Sequence, residues 1–280
     1  MSNTNIKINI IFKFSVFLFF FQSNIVFGLE LKGELIEGAL VNGIVKPGSK
    51  VQLNDKNVAV AEDGRFIIGF HRDTEDTVAL LVTSTDKKTK SYILNIKNRD
   101  YLIQKIDGLP AKMVSPPESV ISRIQKEALR VKKARLKKIE HPYHRKGFIW
   151  PADGTLTGIY GSQRILNGKR RRPHFGVDIA GPVGTPVYAT CDGVILFTDP
   201  NLYFSGGTII IGHGQDLTST YIHLNKILVN EGDFVNQGQL VATMGKTGRV
   251  TGPHLDWRME WNGSRIDPQL LVEGNPNPLK

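Results

Sequence analysis

The 280-residue chain has a single cysteine, Cys191, and beyond its first 28 residues no apolar run of the roughly 20 residues that a bilayer-spanning helix needs. One thiol cannot close an internal disulfide, so a packed core has to hold the fold. Cys191 itself lies in the strand-like run PVYATCDGVILF, where a small buried side chain is expected, not a nucleophile or a ligand. Basic residues interleaved with aromatic or base-reading motifs are also missing, which argues against a nucleic-acid partner despite a net charge of +10. No His-Glu-x-x-His helix motif is present, so a glutamate base carried on a metal-binding helix is not expected. Residues 31–104 hold no cluster of His, Asp, Glu or Cys, and His71 there stands alone as a strand-end surface residue.

What is present divides into four stretches. In residues 1–28, Lys7 and Lys13 flank the start of the largely apolar run 14–21, and polar residues 22–24 follow. Val26 and Gly28 then sit three and one positions before Leu29, the order of a secretory signal peptide. An uncleaved anchor is the alternative, but the apolar run is short for it. The expected location is the periplasm or cell envelope, with no stable membrane insertion after cleavage. Residues 29–112 read as a small β module, from short Val/Ile/Leu-rich pieces separated by Pro47-Gly48, Asn54-Asp55 and Asp63-Gly64. It resembles immunoglobulin-like hairpin modules, and an envelope protein partner is expected to dock through it. Residues 113–147 carry Ile121, Ile124, Ala128 and Val131 at helical spacing, which predicts a basic amphipathic helix ended by Pro142. Ten Lys or Arg against two Glu between residues 123 and 146 give this stretch a net charge of +8, suited to an anionic wall polymer or simply to solvent. His141 and His144, beside Pro142, are expected on the surface. Residues 148–280 are β-rich and dense in glycine, so the fold class is all-β.

Three clusters in the last stretch can carry chemistry. His174 and Asp178 lie four residues apart, on one side of an extended segment. His223 follows in YIHL, on the face opposite Ile222 and Leu224. In HLDWRMEW polar and apolar residues alternate over eight positions, so His254 and Asp256 share the polar face while Leu255, Trp257, Met259 and Trp261 face the core. Glu260 lies further along that polar face and is expected to be solvated. A catalytic zinc site needs three protein ligands and one open position, and imidazole and carboxylate are suitable donors.

The segments RPHFGVDIAGPVGTPVYATCDGVI, GGTIIIGHG, STYIHLN, VNEGDFVNQGQLVATMGKTG and RVTGPHLDW resemble the lysostaphin-type peptidoglycan zinc metallopeptidases, in the family's order and spacing. The resemblance runs from about residue 148 to 270. It implies a β-sandwich with a narrow groove, Zn2+ as cofactor, peptidoglycan as partner and hydrolysis of wall cross-links or stem peptides. By position it makes His174, Asp178 and Asp256 the metal ligands, and His223 and His254 the catalytic histidines that move the proton and stabilise the oxyanion. His213 matches a family position outside the ligand set and reads as a turn residue. Two segments, GTPVYATCDGVI and EGDFVNQGQLVATMG, also resemble biotinyl and lipoyl carrier domains, but Lys246 lacks the carrier lysine's hydrophobic flanks.

At Asp256 the family's usual residue is histidine. One reading is a metal-free module that binds the wall and activates another peptidoglycan hydrolase. The other, which we favour, keeps Asp256 as a ligand, because carboxylate oxygen binds zinc at about the distance of imidazole nitrogen. Two carboxylates should then weaken the metal's Lewis acidity and raise the pH optimum above that of a two-histidine relative.

Overall fold

The computed structural model describes residues 28–107 and 116–276, so the expected leader, apart from Gly28, lies outside the described residues. Strands β1 (Glu30–Lys32), β2 (Leu40–Ile44), β3 (Lys50–Leu53), β4 (Lys56–Val58), β5 (Arg65–Gly69), β6 (Thr77–Thr83) and β7 (Thr89–Asn95) come first. They form two antiparallel sheets, ordered β1-β2-β5 and β4-β3-β6-β7. The period of two is clear in β6, where Val78, Leu80 and Val82 point into the core. The turns fall where the turn residues stand. Asn54 adopts φ +49°, and its side chain accepts from Ala79 N at 2.9 Å. At Gly64 (φ +84°) a Cβ would meet Val45 O at 2.0 Å, so only glycine fits.

After β8 (Ile103–Ile106) comes the one α-helix among the described residues, α1 (Ile121–Arg135). It stops short of Pro142. Lys137 Nζ donates to Leu196 O at 2.8 Å, and Ile139 packs with Leu196 and Ile210, so tertiary contacts draw the chain off the helix six residues early. α1 packs against the sheet beyond it and is latched there by Arg130–Asp199 (2.7 Å) and by Glu127, which accepts from Tyr203 N at 2.8 Å.

The rest of the chain is β9 (Thr155–Gly158), β10 (Gln163–Leu166), β11 (Lys169–Arg170), β12 (Val177–Ala180), β13 (Pro186–Tyr188), β14 (Gly193–Leu202), β15 (Gly206–Gly212), β16 (Leu217–Ile227), β17 (Phe234–Val235), β18 (Leu240–Met244), β19 (His254–Trp261) and β20 (Ser264–Ile266). The main sheet runs β17-β14-β15-β16-β19-β12-β9, with β18 joining β13 and β16, and β20 beside β19. The expected all-β architecture is the one that forms. Its core centres on Trp257, which is fully buried and meets Trp150 edge-on at 5.7 Å; burying side chains of this size stabilises by about 1.5–3 kcal/mol each.

The two β regions share one hydrophobic cluster. β8 pairs in parallel with β10, Gln215 Nε2 donates to Ala59 O and Arg65 O (both 2.9 Å), and Arg145 grips Asp63 through two contacts. His144 is buried here, not on the surface as its place beside Pro142 suggested. Its Nε2 lies 2.8 Å from Gln215 Oε1, and burial pulls its pKa down. His141 is exposed. Cys191 is buried within 3.4 Å of Tyr143 O, and burial pushes its thiol up to about 12.

Candidate metal centre

The centre is set by strand register. β12 and β19 pair antiparallel with Asp178 opposite Asp256 and Ala180 opposite His254. Two carboxylates directly across a ladder repel, and the arrangement is destabilising unless cations lie with them. His174 sits in the extended lead-in before β12 and is anchored by its own backbone, His174 N donating to Ser162 O at 2.9 Å and His174 O accepting from Gly161 N at 2.8 Å. Its ring reaches both acids, with Nε2 3.2 Å from Asp178 Oδ1 and Nδ1 4.0 Å from Asp256 Oδ2. One donor atom from each of His174, Asp178 and Asp256 lies within 4.8 Å of the others. His174 Nε2 is buried and makes no hydrogen bond. A buried orphan nitrogen facing two carboxylates suits a divalent metal ion better than it suits a neutral network.

Two glycines make room for these acids. A Cβ on Gly158 would fall 2.3 Å from Asp178 Oδ2, and one on Gly176 would fall 2.6 Å from Asp256 Oδ1. Neither glycine has a positive φ; at Gly158 the three nearest atoms all belong to Asp178, whereas at Gly176 Trp257 O and Arg258 Cγ lie closer still, both at 2.5 Å. Gly158→Ala is expected to push the Asp178 carboxylate aside and weaken divalent-metal affinity about 10–100-fold, the effect of disturbing a ligand's support. Competition with a chromophoric chelator measures this, and an unchanged affinity would place Asp178 outside the metal's coordination.

The two remaining histidines lie against this trio. His254 Nε2 is 3.7 Å from Asp178 Oδ1, and the rings of His223 and His254 are 4.8 Å apart. Each gives its Nδ1 hydrogen to a backbone carbonyl, His223 to Thr247 O (2.8 Å) and His254 to Gly252 O (3.0 Å). A carbonyl only accepts, so in either ring the neutral form carries its proton on Nδ1 and leaves Nε2 proton-free. Burial pulls His223 down to about 4, which keeps it neutral. His223 sits there through an irregularity. Ile222 is the cross-strand partner of Asp256, so strict alternation would turn residue 223 away from the acids. Instead the β15–β16 register shifts, and His223 takes the left-handed φ of +66°, which brings its ring to His254.

Arg258 was not among the expected site residues. Its Nε and a terminal nitrogen bind the two oxygens of Asp256 at 2.9 and 2.5 Å, a two-point grip. Burial pushes the Asp256 carboxyl up, but the Arg258 guanidinium, and then His174, more than reverse this and hold it well below the usual carboxylate range. The signal was in the sequence: Arg258 is two residues beyond Asp256 and so on the same strand face. Glu260, two further, is not solvated. It pairs with Arg265 at 2.9 Å and Arg135 at 3.5 Å. His213 is no simple turn residue either. It is fully buried, with Nδ1 2.8 Å from Asp192 O and Nε2 2.8 Å from Ser219 Oγ, and burial pulls it down to about 4.

An imidazole and two carboxylates thus converge on a β ladder, with two histidines alongside, a donor set that could hold a metal ion. Residues 172–268 match the model of peptidase family M23. The peptidoglycan DD-endopeptidase ShyA of Vibrio cholerae is 44% identical over 113 residues, 40% of this chain and 24% of ShyA. The DD-carboxypeptidase/endopeptidase Mpg of Neisseria meningitidis is 39% identical over 105 residues, 38% of this chain and 24% of Mpg. This chain spans about a quarter of the length of such relatives. A Pseudomonas aeruginosa crystal structure assigned to peptidase M23 superposes with a TM-score of 0.68 over 85% of this chain and 95% of its own, at 24% identity, which shows a shared fold.

Proposed function

We propose that this chain is an exported zinc-dependent endopeptidase that hydrolyses peptide bonds of cell-wall peptidoglycan, located in the periplasm or cell envelope. The observation that carries the reading is the meeting of His174, Asp178 and Asp256 within 4.8 Å inside the M23 domain. These three residues would hold the ion, which supplies Lewis-acid polarisation of the scissile carbonyl. The protein's own part in the reaction falls to the two histidines. His254, the nearer of them to Asp178, presents its proton-free Nε2 to the attacking water and takes the proton. His223, kept neutral by burial, accepts a hydrogen bond through Nε2 and orients that water. His254, once protonated, can donate to the leaving amine. The β module of residues 29–112 would serve to dock an envelope protein.

A second reading has one observation in its favour. The Arg258 grip on Asp256 already neutralises one of the three donors, as a metal-free module that binds the wall and activates another hydrolase would permit. Incubating the full chain with purified peptidoglycan separates the two. The enzyme reading expects new amino termini that fail to form after chelation and return with zinc. Release of none, from a protein that pellets with the wall, supports the binding module.

A further inference from the structure

A group of enclosed charges beside the centre takes no part in the mechanism above. On the β19 face that carries His254 and Asp256, the next side chains are Arg258 and Glu260. Arg265 from β20 and Arg135 from the last turn of α1 both turn to Glu260, and Arg135 also donates to Thr220 Oγ1 at 3.1 Å. Three guanidiniums therefore share two carboxylates, Asp256 and Glu260, leaving one positive charge in surplus. All three are largely enclosed, with side-chain exposures of 16% for Arg135, 21% for Arg265 and 29% for Arg258. Arg135 Nε is buried without a hydrogen-bond partner. Burial, and then repulsion from Arg135, pull Arg265 down to about 9. An enclosed surplus charge costs free energy unless an anion completes it.

The three arginines open onto one cavity of about 290 Å³ between α1 and the sheet. It is also lined by the apolar Ile124, Val131, Leu202 and Ile222 and by Glu127, whose carboxylate is already paired with Arg123 at 2.7 Å. The volume is at the low end for ligand pockets, enough for one residue of a peptide and too small for a folded partner. Ile222 is the cross-strand neighbour of Asp256, so the cavity begins one residue pair from a metal donor.

We propose that this cavity is a substrate subsite that receives a free carboxylate of the peptide being cut, gripped by Arg135 and Arg265 while the apolar side chains pack the attached alkyl chain. Guanidinium forks suit carboxylates because they bind both oxygens at once. The basic α1 surface would draw such acidic peptides toward it. The identity of the ligand rests on the peptidoglycan reading; the existence of an anion subsite does not.

The test uses cross-linked stem-peptide dimers released from purified peptidoglycan, in two forms: with free carboxylates, and with those carboxylates converted to amides. Binding of each to the full-length, metal-stripped chain is measured by calorimetry, and hydrolysis of each by the zinc-loaded chain in parallel. The free acid is expected to bind about tenfold tighter than the amide, the scale of one charge-assisted contact, and in hydrolysis the difference should fall on KM. Arg135→Gln should bring the ratio close to one. Val131→Phe, which fills the cavity without removing a charge, should do the same and keeps the test open if the glutamine variant does not fold. Equal binding of the two forms by the unsubstituted chain overturns the subsite. So does a folded Arg135→Gln chain with its acid preference intact, which would leave the arginines as a latch for α1. Acid-selective binding without hydrolysis upholds the subsite and overturns the peptidase reading instead.

Discussion

Asp178→Ala is expected to abolish stoichiometric zinc binding and to lower wall digestion about 10³-fold. In the proposed centre the carboxylate is one of three donors, and the two that remain would not hold the ion against a chelator. The metal's share of transition-state stabilisation is several kcal/mol, and about 4 kcal/mol corresponds to that loss in rate. Because Asp178 is buried opposite another acid, removing it also relieves repulsion. That relief offsets the loss of its 3.2 Å contact with His174, so the metal-free variant is expected to melt close to the metal-free parent. Zinc analysis of the purified protein, release of new amino termini from peptidoglycan and thermal denaturation form one set. Full zinc occupancy in the variant would remove Asp178 from the ligand set.

Asp256→His restores the family's usual residue, yet it is expected to harm this protein. Asp256 is the counter-ion of Arg258, and its removal leaves an enclosed guanidinium with no partner. Breaking a fully buried pair costs about 3–5 kcal/mol; Arg258 keeps 29% exposure, so about 2 kcal/mol is expected, or roughly 5 °C in melting temperature. The double variant Asp256→His, Arg258→Gln should recover most of that loss, because the orphaned charge is gone. A double variant no more stable than the single one would show that the two side chains are not coupled. The pairing also changes the expected acidity of the site. Asp178, Asp256 and Arg258 together carry one net negative charge, the same as one carboxylate with two neutral imidazoles. The higher pH optimum expected from two carboxylates alone is therefore largely cancelled by Arg258. Whatever activity Asp256→His retains should have its optimum at lower pH, since a neutral ligand then stands beside an uncompensated cation.

Much of the centre was legible because β strands write their geometry into alternate residues. HLDWRMEW displays its polar and apolar faces without any help from the rest of the chain, and the order of the five motif segments singled out together His174, Asp178, His223, His254 and Asp256, which the fold brings to one place. What escaped notice depends on partners distant in sequence. His144 is buried because Gln215, 71 residues away, meets it at the seam between the two β regions. Glu260 is enclosed because arginines from α1 and β20 converge on it. α1 ends early because Ile139 is needed in a cluster with Leu196 and Ile210. His223 reaches its place by a backbone irregularity that alternation does not foresee. Arg258 is the exception, since its proximity to Asp256 followed from a spacing of two. Its importance shows only once both side chains are seen to be enclosed.

Asp178 and Asp256 face each other across β12 and β19, so metal capture by this pair would be a check on strand alignment. A slip of one residue between these strands would send the two carboxylates to opposite sides of the sheet, and the mispaired chain would have no place for an ion. An ion held as proposed would thus bind only the correctly aligned form and shift the population toward it. In this chain the cofactor would act as a proofreader of folding before it ever meets a substrate.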